Sequence, residues 1–255
     1  MFEAIILGVV QGFTEFLPVS STAHLILLPW FFSWNGEVDT LTFDIALHGG
    51  TLCALLCCFW KDWIDLIVRK QKLFAFILMA SVPAGITGFL LNDIVETSMR
   101  SPLIISVMLI GVGFVMLLSE KAYKFKNIDT ITFGNALFIG IAQTVAIIPG
   151  VSRSGITIAA GLFAGLEREE SARFSFLLST PIIAGAVLLH ATKVIGSAEN
   201  YNFSLFASGL VASFCTGLVA IKFLLHFFKK YPLNIFVFYR FVLAVVIITG
   251  LWWKE

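Results

Sequence analysis

Apolar runs of about 20 residues recur along this chain, and polar connectors separate them. A helix of that length rises about 1.5 Å per residue and crosses a hydrocarbon core of roughly 30 Å. The pattern predicts six membrane-spanning helices, at about 40–60, 73–91, 102–119, 172–190, 204–227 and 233–252. Lys61 to Lys72, Asn92 to Ser101, Ser119 to Thr130 and Ala191 to Asn202 read as connectors, and Lys229, Lys230 and Pro232 break the last pair. Residues 1–33 and 132–165 depart from this pattern. A Pro/Gly/Ser cluster splits each into halves too short to span alone. Broken helices at membrane depth are tolerated only where protein or a water-filled cavity surrounds them. Both regions are therefore expected to be re-entrant hairpins that enter and leave on one face.

The two broken regions also resemble each other. Gly8-Val-Val-Gln11 followed by Pro18-Val-Ser20-Ser21-Thr22 aligns with Gly140-Ile-Ala-Gln143 followed by Pro149-Gly-Val-Ser152-Arg153-Ser154. An offset of 132 residues superposes Gly8 on Gly140, Gln11 on Gln143, Ser20 on Ser152 and Thr22 on Ser154. Three spans separate the hairpins, an odd number, so the second enters from the opposite face. The expected fold is an all-α integral membrane protein forming one polytopic domain over 1–255. Its six spanning helices and two re-entrant helical hairpins form an inverted-topology repeat, about 1–119 and about 132–252. Sites in such folds lie near the midplane, where broken helices meet.

Charge sets the orientation. Lys61, Arg69, Lys70, Lys72, Lys121, Lys124, Lys126, Arg168, Arg173, Lys229 and Lys230 fall on one face, against Arg100, Lys193 and Lys254 on the other. Basic residues gather in cytoplasmic loops, so both termini and the first hairpin are expected to open outward. Composition agrees with a membrane protein: 58% of residues are hydrophobic, 13% are charged, and mean hydropathy is +0.94. A net charge of +1 argues against nucleic acid as a partner. The first run carries Glu3 and no basic patch before it, which reads as mature structure rather than a cleaved signal. Cys53, Cys57, Cys58 and Cys215 show no metal-binding spacing and read as small buried core residues.

Chemistry concentrates at the breaks. Gln11, Glu15, Ser20, Ser21, Thr22 and His24 interrupt the first apolar run around Pro18. Ionisable groups at such depth are costly and functional by default. Gln11 and Glu15 lie one helical turn apart and share a face. In the second break, Gly150, Ser152, Ser154, Gly155 and Thr157 surround a lone Arg153. The glycines allow close backbone approach in an anion-binding turn, and a helix starting near Gly155 would turn its amides toward the anion. Arg153 offers a planar fork that matches phosphate oxygens; a structural ion pair with Glu15 is its other reading. Glu15 beside Gln11 suits a hard divalent cation, Mg²⁺ or Ca²⁺, bridging to phosphate. Ser21 can attack phosphorus if a base takes its proton, and His24 three residues on is the expected base. Activation of water by His24 is the alternative. Together these residues describe a phosphate-handling site inside a membrane.

The segments LGVVQGFTEFLPVSSTAHL and PGVSRSGIT closely resemble the signatures of the undecaprenyl-pyrophosphate phosphatase family, the bacitracin-resistance type. Gln11 and Glu15 match its first motif, Pro149 to Thr157 its second, and His24 its histidine. The resemblance covers essentially the whole chain. It implies hydrolysis of undecaprenyl diphosphate to the monophosphate and inorganic phosphate, which recycles the carrier lipid of cell-wall synthesis and confers bacitracin resistance. It implies Glu15, Ser21, His24 and Arg153 as catalytic residues, in a bacterial inner membrane with the site open to the outer face. Ser20, Thr22, Gly150, Ser152, Ser154 and Thr157 would bind substrate. Members with Glu at position 11 hold a second carboxylate, so Gln11 weakens two-carboxylate metal binding here. Ala159 stands where the other membrane lipid-phosphatase family has its histidine, which excludes that assignment.

The remaining polar groups read as structural. His48 and His190 are expected to be packing partners within spans, and His226 an interface residue. Asp44, Lys222 and Arg240 are expected close enough to a boundary to snorkel. Trp60, Trp63, Trp252 and Trp253 read as interfacial anchors. A secondary transporter or lipid flippase is the rival reading, since such proteins use broken helices in inverted repeats. It gives a Ser/His pair no purpose. The sequence leaves a homodimer open.

Overall fold

The computed structural model describes residues 1–195 and 201–254, apart from the side chains at 92, 93, 96, 193–195 and 254. Asn200 in the last long connector, and the Lys193 and Lys254 side chains of the charge count, lie outside the described residues. No strand occurs among the described residues beyond one isolated bridge, Lys126 to Leu166. The helices are α1 (Phe2–Thr14), α2 (Ser21–Phe32), α3 (Leu41–Cys58), α4 (Trp60–Val68), α5 (Gln71–Ser98) and α6 (Pro102–Ser119). They continue as α7 (Phe133–Thr144), α8 (Arg153–Phe163), α9 (Arg168–Ile195), α10 (Phe203–Phe228) and α11 (Asn234–Lys254).

Six of these, α3, α5, α6, α9, α10 and α11, are long and apolar enough to cross a membrane, as the hydropathy pattern requires. The chain is a multi-pass membrane protein. Helices α5 and α9 have 28 residues each, about 42 Å, and run on through segments read as connectors. Hydropathy marks where a helix leaves hydrocarbon, not where its hydrogen bonding ends. Helices α1, α2, α7 and α8 have 11 to 13 residues and reach only about 20 Å, short of the core thickness.

Helix α4 lies where a connector was expected. Trp60, Ile64, Ile67 and Val68 are exposed on it, while Asp62 accepts from Arg173 at 2.6 Å. An apolar outer face with Asp62 and Asp65 half-buried suits the membrane interface. The cysteines also differ from expectation: Cys53, Cys57 and Cys215 are exposed and Cys58 is half-buried. In a bilayer the outside of a span is as apolar as its inside, so hydropathy cannot tell them apart.

Small residues bring the short helices close to the spans. A Cβ on Gly8 would strike the Gly209 carbonyl, and one on Gly12 the Thr216 hydroxyl, so α1 lies backbone to backbone on α10. Gly140 does the same for α7 against Ala80 of α5. Phe16 packs edge to face on Phe176 of α9, with ring centroids 5.3 Å apart, in the main core beside the breaks.

Ion pairs gather the connectors at two ends. Arg173 meets Asp62, Lys70 meets Asp129 at 2.6 Å, Arg168 meets Glu120 at 2.6 Å, and Lys229 meets Glu169 at 3.5 Å. Burial raises the Glu120 carboxyl, but the Arg168 hydrogen bonds outweigh it and hold the group below the ordinary carboxylate range. Glu120 also accepts from the Leu233 amide at 2.8 Å, tying α6 to α9 and α11. At the other end Arg100 meets Asp44 at 3.5 Å, and Glu37 accepts from the Asn202 amide at 3.2 Å.

Candidate functional site

Proline at 18 has no amide hydrogen to continue α1, and the chain turns tightly there, with the Val19 amide on the Leu17 carbonyl at 2.7 Å. Ser20 then caps α2 with a φ of 77°, its hydroxyl accepting from the Ala23 amide at 3.4 Å. The second break repeats this. Gly150 has a φ of 96°, and Ser152 caps α8 with a φ of 71°, accepting from the Gly155 amide at 3.1 Å. A non-glycine residue held in that region costs about 1–3 kcal/mol and persists only where the surroundings enforce it. The sequence placed both breaks correctly and aligned these two serines.

The two breaks meet at Glu15, which is 7% exposed. Its Oε1 accepts from Arg153 Nη1 at 3.0 Å. Its Oε2 accepts from Ser21 Oγ at 2.7 Å and from Gln11 Nε2 at 3.1 Å. A buried carboxylate without such partners would carry an uncompensated desolvation cost of several kcal/mol. The Arg153–Glu15 ion pair exists, and it sits among the hydroxyls rather than apart from them. Ser20, Ser21, Thr22, Ser152 and Arg153 line one small cavity with Glu15. Its volume is about 20 Å³, room for roughly one water. First-turn amides of a helix have no intrahelical acceptor, and two N-termini, of α2 and α8, flank this cavity.

One expected contact differs. Ser21 Oγ bonds to Glu15 and not to His24. The His24 ring instead places Nδ1 2.7 Å from the Ser20 carbonyl and Nε2 2.7 Å from the Tyr239 hydroxyl, stacked on the Tyr239 ring. Three-residue spacing brought the side chains to neighbouring directions, but stronger acceptors drew each away. Thr157 turns from the cavity to Ser175 Oγ at 2.6 Å, and Ser154 donates to the Leu17 carbonyl at 3.2 Å, linking the two breaks. Gly150 gives room: a Cβ there would lie 2.6 Å from the Ile105 carbonyl.

His48, read as a packing residue, lines the cavity, with Nε2 3.4 Å from Glu15 Oε2. Its Nδ1 lies 2.7 Å from the Asp44 carbonyl, which can only accept, so Nδ1 carries the hydrogen and Nε2 faces the carboxylate. Asp44 is buried and paired with Arg100, not snorkelled. Arg240 is fully buried, far from a boundary contact. The available signal for His48 was its place four residues after Asp44, a polar stripe on one face of a span. A larger cavity, about 400 Å³, lies among Asp62, Lys70, Asp129 and Arg173, whose charges pair with one another.

A resident cation has a modest fit. Glu15 is the one carboxylate at the cavity, and no cluster of three metal-ligating side chains occurs among the described residues. Gln11 turns its Nε2, a donor, to Glu15 and leaves Oε1 buried with no hydrogen-bond donor, an oxygen of the kind a hard ion takes.

Residues 4–246 match the family described as bacitracin resistance protein BacA. The undecaprenyl-diphosphatase of Thermodesulfovibrio yellowstonii is 57% identical over 247 residues, covering 97% of this chain and 96% of the relative. That of Desulforudis audaxviator is 46% identical over 256 residues, with 97% and 96% covered. That of Moorella thermoacetica is 44% identical over 264 residues, with 100% and 99% covered. With its two paired breaks and six spans, this chain belongs to the BacA bacitracin resistance family.

Proposed function

We propose that the chain hydrolyses undecaprenyl diphosphate to undecaprenyl phosphate and inorganic phosphate at the cavity between its two helix breaks, and so returns the carrier lipid to cell-wall synthesis. The observation that carries this is the Ser21 hydroxyl 2.7 Å from a buried carboxylate that also holds Arg153, between two helix N-termini. The names of the relatives agree with the substrate.

Diphosphate entering the cavity takes Arg153 from Glu15, and the guanidinium fork moves to phosphate oxygens. Glu15, freed of its cation, accepts the Ser21 proton. Ser21 Oγ forms a bond to the terminal phosphorus as the bridging P–O bond breaks, and undecaprenyl phosphate departs as a stable anion. Amides at the N-termini of α2 and α8, with Arg153, stabilise charge on the transferred phosphoryl group. Water then attacks the phosphoserine phosphorus as the Ser21 Oγ–P bond breaks; the proton held by Glu15 returns to Ser21 Oγ, and inorganic phosphate leaves with the oxygen and protons of the water. His24, joined to Ser20 and Tyr239, holds the turn that aims Ser21. A divalent cation, Mg²⁺ or Ca²⁺, would be held by Glu15 and Gln11 together with substrate oxygens. When bound it would neutralise diphosphate charge.

We further propose that the site opens toward the outer face of a bacterial inner membrane, with both short-helix pairs re-entrant and the two halves inverted. Support comes from charge and position. His48 lies seven residues into α3, about 10 Å from its start at the Arg100 and Asn202 end, opposite the basic connectors. Labelling of cysteines placed at Asn35 and at Lys70 or Lys126 tests the orientation; equal protection at both ends in sealed vesicles would remove it. For the reaction, purified protein in detergent is given undecaprenyl diphosphate and assayed for free phosphate. Lipid movement in vesicles without phosphate release would favour the transport reading instead.

A further inference from the structure

Arg240 stands about a third of the way along α11 with no surface exposed, and five backbone carbonyls surround its guanidinium. Nε donates to Leu109 at 3.1 Å and Nη1 to Pro18 at 3.3 Å. Nη2 reaches Met108 at 3.2 Å, Gly150 at 2.8 Å and Val151 at 3.1 Å. Pro18 belongs to the first break and Gly150 and Val151 to the second. No carboxylate pairs with Arg240 among the described residues. A buried cation held by carbonyls alone is expensive at membrane depth, and packing on its own gives no reason to keep one.

We infer that Arg240 is a positioning residue for phosphoryl transfer: one guanidinium clamps the tips of both breaks, fixing Ser21 and Arg153 relative to each other. The inference rests on the function proposed above. Three features support it beyond the contact list. The peptide groups are trans, so holding the Val151 carbonyl turns the following amide, that of Ser152 at the cavity, away from Arg240. The neighbouring Tyr239 holds His24, so two consecutive residues of α11 grip the first break. The uncompensated charge adds to the positive potential that meets a diphosphate. Lysine cannot replace this arrangement. Its donors diverge from one point, whereas the fork reaches carbonyls from three separate segments.

The test is Arg240→Lys in detergent, read by phosphate release and by amide exchange. Expected are a folded protein, a kcat lower by about tenfold to a hundredfold, and a KM within about threefold of the parent, the scale of a misplacement near 1 Å. Amide exchange should rise in segments 17–22 and 148–154 and not in α4 or the 120–132 connector. Parent-like kcat with unchanged exchange overturns the proposal. So does a lowered melting temperature with full turnover per folded molecule, which is a structural role only. If Arg240→Lys does not fold, Arg240→Ala prepared with guanidinium ion carries the test: turnover must rise with guanidinium at constant folded fraction, and a rise only in folded fraction overturns it. Exchange at the two tips is read without substrate. A parent that releases no phosphate would therefore refute the proposed reaction, while the exchange result still decides whether Arg240 clamps the tips.

Discussion

The two helix breaks share a scaffold and divide the chemistry. Each has a glycine that lets its first helix touch a span, a buried glutamine, and a serine cap at positive φ. At matched positions, however, the first carries Glu15, Ser21 and His24 where the second carries Ile147, Arg153 and Ile156. The carboxylate and hydroxyl come from one break and the cation from the other. The hydroxyls of the second break mostly serve structure, since Ser154 bonds to the Leu17 carbonyl and Thr157 to Ser175. Two breaks of similar backbone thus supply two helix starts at one cavity, and their side chains set them apart.

Removing the same atom from each break tests that division most strongly. Ser21→Ala should lower turnover by at least about a thousandfold, while Ser152→Ala should cost no more than about tenfold. Phosphate release by the two variants is the measurement, and equal losses would erase the distinction. Arg153→Lys should cost about 10²–10³ in kcat, because a point charge cannot span two phosphate oxygens. Near-normal turnover would leave Arg153 as a structural partner of Glu15. His48→Ala should lower turnover by about tenfold or more, placing a third segment in the site beside the two breaks. A wild-type rate would return His48 to packing.

Chelation asks whether Glu15 and Gln11 hold a cation. Activity should fall after exhaustive chelation and return with Mg²⁺ or Ca²⁺, and Gln11→Glu should be tolerated. Persistent activity would assign Glu15 wholly to Ser21 and Arg153. The smallest effect is expected far from both breaks, at Glu120. Its folded carboxyl is held below the ordinary range, so its stabilisation is full above the unfolded pKa near 4.5 and is lost as pH falls through the lower folded value. Glu120→Gln should lower the melting temperature at pH 7 by a few degrees and flatten the acid side of the stability profile. Thermal melts from pH 7 to pH 3 measure this, and phosphate release at pH 7 should change little.

Much of this was legible in the chain because a bilayer imposes simple rules. A span needs about 20 apolar residues, so six spans and two regions that fail the rule were visible by length alone. Polar residues inside apolar runs stand out, which exposed Gln11, Glu15, Ser20, Ser21, Thr22 and His24 before any contact was known. The internal likeness of the two breaks was also a property of the string, and the serine caps at 20 and 152 both take a positive φ, 77° and 71°.

Partner choice was another matter, and the tertiary structure alone decided it. His24 meets Tyr239 across 215 positions, Arg240 meets Pro18 across 222, and His48 reaches Glu15 from α3. Spacing tells which residues share a face of one helix, as it did for Gln11 with Glu15. It cannot tell which face of a second helix arrives opposite. A solitary histidine or arginine in a span therefore reads the same whether it snorkels, packs or closes a site. Hydropathy cannot separate lipid-facing from core-facing positions either, which is why the cysteines were misplaced. Close backbone approach at Gly8, Gly12 and Gly140 sets those faces, and that geometry exists only once the helices are packed.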